Sequence, residues 1–66
     1  MNVKELKVEM LRHGDTCGEL AKALGFSSVS MSSRLSGKTD FSRREIEIIR
    51  DRYDLSADRV VQIFLA

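Results

Sequence analysis

The sequence predicts an all-α fold of five short helices. Three observations carry that prediction. The 66 residues include no proline. No run rich in Val, Ile or Thr alternates with polar residues, so nothing reads as a strand. Apolar side chains instead recur three and four residues apart, between glycines and capping residues.

The first helix is expected from about Val3 to Arg12, with Asn2 as N-cap. Leu6 and Met10 share a face, flanked by Val3 and Leu11, while Lys4, Glu5 and Lys7 face water. Gly14 is the natural stop, and His13 before it is an exposed capping residue. The second helix opens on a capping box, Thr16 with Glu19. Leu20, Ala23 and Leu24 are its expected buried face. Ala21 is the small residue where the next helix crosses, and Gly25 permits a sharp turn.

The third helix starts at Ser27 or Ser28 and is closed by Gly37. Phe26, Met31 and Leu35 point inward, leaving Ser28, Val29, Ser32, Ser33 and Ser36 outward. The fourth begins at Ser42, whose capping box is completed by Glu45, and Phe41 staples onto Ile46. Ile46, Ile49 and Tyr53 form its buried stripe, with Ile48 beside it. The fifth begins near Ser56 and carries Val60, Val61, Ile63, Phe64 and Leu65.

Length bounds the chain to one domain, residues 1–66, with a small core. Hydrophobic content of 42% and charged content of 32% suit a globular domain rather than a disordered one. No apolar run approaches a membrane span, and Met1 to Glu5 lacks a signal-peptide core. The lone Cys17 cannot form an internal disulfide, so a cytoplasmic location is expected, with no membrane partner. Cys17 and the lone His13 make no metal-ligand set. The acids Asp15, Glu19, Asp51 and Asp54 read as caps and solvated helix faces. No phosphate loop or nucleophile–base pair accompanies them. No enzyme activity, cofactor, metal or small-molecule ligand is expected.

The net charge is only +1, but it is unevenly placed. Residues 1–33 balance Lys4, Lys7, Arg12 and Lys22 against Glu5, Glu9, Asp15 and Glu19. Residues 34–44 set Arg34, Lys38, Arg43 and Arg44 against Asp40 alone, four against one, an excess of three.

Thr16, Glu19, Leu20, Ala21, Leu24, Gly25, Phe26 and Ser27, followed by Leu35, Ser36, Gly37 and Lys38 and then Phe41, form a pattern. The segment from Thr16 to about Tyr53 resembles the helix-turn-helix domain of phage Cro and repressor proteins, the XRE group. The resemblance implies a compact, five-helix, lambda-repressor-like DNA-binding domain, its helix-turn-helix core at about residues 16–37. It implies a cytoplasmic phage or prophage transcriptional regulator bound to a double-stranded DNA operator. A homodimer is the usual form.

The recognition helix is then about 28–36, lying in the major groove. Ser28, Val29, Ser32 and Ser33 match positions that face base edges. Cys17, Ser27, Ser36 and Lys38 match positions near phosphates, Arg34 lies within reach of one, and the basic segment adds Arg43 and Arg44. Many members carry Gln, Arg, Asn or Lys where this chain has serines, and serine discriminates poorly between bases. Val29 suits a thymine methyl, and DNA shape or bridging water is expected to carry much of the rest.

With no second domain, a Cro-like regulator fits better than a full-length lysogeny repressor. The alternative is a protein-interaction module, antirepressor-like, whose helical surface binds a partner repressor. Val61 and Leu65 lack an obvious place in a monomer, which makes them a candidate dimer seam.

Overall fold

A computed structural model describes residues 1–65, and Ala66, the end of the expected apolar run, lies outside them. The order is α1 (Val3–Arg12), α2 (Cys17–Leu24), α3 (Ser28–Leu35), α4 (Arg43–Tyr53) and α5 (Ala57–Val60). The chain then winds directly into a π-helical turn, Val61–Leu65. There is no strand among the described residues.

Each helix starts on a side chain that replaces a missing backbone partner. Asn2, Thr16, Ser27, Ser42 and Ser56 each accept a hydrogen bond from the backbone N–H three residues on. Thr16–Glu19 and Ser42–Glu45 complete reciprocal capping boxes. Gly25 ends α2 at φ 75°, a left-handed conformation that glycine adopts without steric cost. Asp54 takes the same role after α4 at φ 50°, one of the few side chains that tolerate it.

Leu6, Leu20, Ile49 and Ile63, one from each of four elements, are fully enclosed. Met10, Ala21, Met31, Phe41, Tyr53 and Phe64 complete the core around them. Fully burying a Leu or Ile contributes roughly 1.5–3 kcal/mol. The radius of gyration, 10.7 Å, matches the value of about 11 Å for a compact chain of this length.

Several expectations change. In α2 the buried pair is Leu20 and Ala21, while Ala23 is exposed and Leu24 half-buried. The Phe26 N–H bonds back to the Ala21 carbonyl at 2.8 Å, which folds the chain over Ala21 rather than Ala23. Leu11 is 82% exposed, not a flank of the core. The close of α3 is as expected, Ser36 serving as its cap and Gly37 following in the left-handed conformation at φ 83°.

The C-terminal segment widens into a π turn, which brings Ile63 and Phe64 inward together and leaves Val61 and Leu65 outside. Asn2 anchors this segment through its N–H to the Ile63 carbonyl at 2.6 Å.

Two long-range charge clusters tie distant parts of the chain together. The buried Glu9 carboxylate accepts from Arg59 Nε at 2.6 Å, and Arg59 also reaches Glu5 at 2.9 Å. The two carboxylates raise the Arg59 pKa, Glu9 first. Asp15, expected on a solvated face, is instead covered by Arg52 and Tyr53. Arg52 grips it through two hydrogen bonds of 2.7 Å. The Tyr53 hydroxyl donates a third. His13 stacks on Tyr53 at 4.9 Å rather than standing free.

Candidate functional site

α2 and α3 are eight-residue helices joined by the turn Gly25, Phe26, Ser27. Ala21 allows close approach, and Phe26, Met31 and Leu35 turn the inner side of α3 toward the core. The other side of α3 is therefore forced outward. At about 1.5 Å per residue α3 is roughly 12 Å long.

Ser28, Val29, Ser32, Ser33, Ser36 and Lys38 line one shallow groove of about 480 Å³ along that outer side. The four residues expected to face bases are thus brought together, with two of those expected near phosphates. Gly37 turns the chain so that Lys38 rims this groove. Asp40 is the only acid between Lys22 and Ser42.

The hydroxyls of this groove are not equivalent. Ser33 shares a hydrogen bond of 3.2 Å with Thr39, and Ser36 donates to the Ser33 carbonyl at 3.1 Å. Ser27 is engaged as the cap of α3. The Ser28 and Ser32 hydroxyls have no hydrogen bond among the described residues and remain open to an outside partner.

A second groove, about 500 Å³, runs between α2 and α3. Ser28 and Ser32 form the wall it shares with the first. Cys17 and Lys22 rim it, and Ala21, Phe26, Met31 and Leu35 make its floor apolar. Lys22 went unread as a site residue, although it stands one helical turn from Gly18 on the same side of α2.

The remaining cations lie elsewhere. The Arg34 side chain is only 19% exposed. Its guanidinium lies over the Phe26 ring at 4.2 Å, with Nε 3.5 Å from Glu45. At that separation Nε makes no hydrogen bond, and the attraction to Glu45 is Coulombic. Arg34 was expected within reach of a phosphate, but the ring and the carboxylate draw it inward. Arg43 pairs with Glu47 and borders a groove toward Phe64 and Leu65. Arg44 borders a depression at the end of α2 with Lys22 and Gly25. Neither lines the serine groove.

No protein-family model, curated protein or solved structure matches the chain.

The chemistry on offer is recognition by small hydroxyls, one apolar side chain and a cationic rim. Among the described residues no three His, Cys, Asp or Glu side chains gather at metal-holding distance. No helix there is long and apolar enough to cross a membrane.

Proposed function

We propose that this chain is a Cro-type transcriptional regulator that binds double-stranded DNA with sequence preference, α3 entering the major groove. The observation that carries the reading is the serine groove itself. A short helix, backed by a partner helix across a three-residue turn, presents small polar residues outward beside a cation. Ser28, Val29, Ser32 and Ser33 meet base edges. Cys17 and Ser27 at the starts of α2 and α3, with Ser36 and Lys38, meet phosphates, and helix N-termini favour that contact. Lys22 joins this set, while Arg34 leaves it for a role in fixing α3. Arg43 and Arg44, if they engage DNA, do so on backbone outside the groove read by α3. Two copies joined through Val61 and Leu65 would present two such helices to a palindromic operator.

The test is titration of the protein onto DNA flanking its own coding region at two salt concentrations. Specific binding that weakens with salt is expected, and Lys38→Ala should reduce the slope of log K against log salt by about 0.9. Equal affinity for random DNA at low and high salt refutes the reading. The apolar floor of the second groove favours one rival, in which it takes an apolar side chain of a partner protein. Such binding would depend little on salt.

A further inference from the structure

Resting on the DNA-binding reading, we infer that Thr39 is a positioning residue: its hydroxyl, clasped to Ser33, fixes the turn that holds Lys38 ready for a phosphate.

α3 ends in a reciprocal pair of backbone bonds. The Gly37 N–H donates to the Arg34 carbonyl at 3.2 Å, and the Lys38 N–H donates to the Ser33 carbonyl at 3.0 Å. This closure, the Schellman motif, is commonly braced by an apolar contact between its final residue and the last full turn of the helix. Here those places hold Lys38 on one side and Ser32 and Ser33 on the other. Neither serine is apolar, so that brace is missing.

Thr39 replaces it with polar links. Its hydroxyl shares a hydrogen bond of 3.2 Å with the Ser33 hydroxyl. Its N–H donates to the Ser33 carbonyl at 3.3 Å. The same carbonyl accepts from the Ser36 hydroxyl at 3.1 Å. The turn after α3 therefore closes on Ser33, and Thr39 grips it from the far side of Lys38.

Lys38 lies inside this clasp. It makes no ion pair among the described residues, although Asp40 is close in sequence. Thr39 is exposed and stands outside the core. Its hydroxyl serves the turn rather than the packing of the helices. A loose turn must be ordered when DNA arrives, at a cost in affinity. A clasp already closed in the free protein removes that cost. One such hydrogen bond corresponds to about a fivefold change in affinity.

The probe is a duplex selected from a random library by the full chain, with an unselected duplex beside it. Dissociation constants are measured for the parent, Thr39→Val, Lys38→Ala and the double variant. Thr39→Val keeps the branched shape and loses the hydroxyl. It should weaken binding about fivefold on both duplexes, because phosphate contacts carry no sequence information. In the Lys38→Ala background it should weaken binding little further. Thr39→Ser should match the parent. In the free protein, hydrogen exchange at the Lys38 amide should quicken in Thr39→Val while the melting temperature stays that of the parent.

An equal loss from Thr39→Val with and without Lys38 overturns the inference, since Thr39 would then touch DNA itself or support α3 as a whole. Full affinity in Thr39→Val, or unchanged exchange at Lys38, overturns it and leaves DNA binding standing. A folded parent that enriches no duplex overturns both.

Discussion

The Asp15 carboxylate accepts hydrogen bonds from Arg52 and Tyr53 at 5% side-chain exposure. The hydrogen-bonded Arg52 guanidinium, despite the opposing cost of burial, holds its pKa below the ordinary carboxylate range. Burial, then the hydrogen bond to Asp15, pushes the Tyr53 hydroxyl above its usual range. The two groups limit stability at opposite ends of the pH scale. Asp15 stabilises the fold fully above its unfolded value of about 3.9, and this is lost as pH falls through the lower folded value. Tyr53 stabilises it below about 10, and this is lost as pH rises through the higher folded value. Melting temperature followed by circular dichroism should therefore show Asp15→Asn less stable at neutral pH but converging on the parent in acid. Tyr53→Phe should flatten the alkaline limb and, because it removes one donor to Asp15, weaken the acid limb in part. Parallel acid limbs for parent and Asp15→Asn would mean that the Arg52 grip contributes nothing to folding.

At the scale of elements, the start of every helix was legible because a cap is a local event. A side-chain oxygen and an N–H three residues on need no tertiary structure to find each other. The outward side of α3 was legible for a related reason, since helical period alone separates Ser28, Val29, Ser32 and Ser33 from Met31 and Leu35. What escaped depends on partners far along the chain. Asp15 meets Arg52 across 37 residues and Glu9 meets Arg59 across 50, and no local pattern announces either. The inward turn of Arg34 belongs to the same class, because it depends on how α4 lies against α3. Glu45 serves two elements at once, accepting from the Ser42 N–H at 2.9 Å and standing 3.5 Å from Arg34. It ties the start of α4 to α3. Arg34→Met should cost about 1 kcal/mol, a fall of roughly 4–8 °C in melting temperature for a domain this small. Glu45→Gln should cost less, since glutamine can still complete the capping box. In a double-mutant cycle the pair should couple by about 0.5–1 kcal/mol. Additivity would assign the anchoring of Arg34 to the Phe26 ring alone.

The whole molecule is small enough that its surface cannot be treated apart from its stability. A domain of this size buries a modest share of its surface, yet leaves Val61 50% and Leu65 71% exposed. These two residues lie four apart on the C-terminal turn, and Leu65 borders a groove with Arg43, Ile46, Glu47, Arg50 and Phe64. That patch carries both signs of charge around an apolar centre. A two-fold axis through it can set each Glu47 against an arginine of the other copy while joining the apolar residues. If two copies meet there, folding and association are linked, and melting temperature must rise with protein concentration. Sedimentation equilibrium at micromolar concentration should then find a mass approaching twice the 7.5 kDa of one chain. Val61→Asp/Leu65→Asp should sediment as a single chain with a melting temperature independent of concentration. Both side chains are largely outside the core, so the double variant should still fold. A parent that sediments as one chain, and melts at the same temperature across a hundredfold range of concentration, would rule out the seam. On the proposed reading, any pairing of the two α3 helices would then have to be imposed by the DNA.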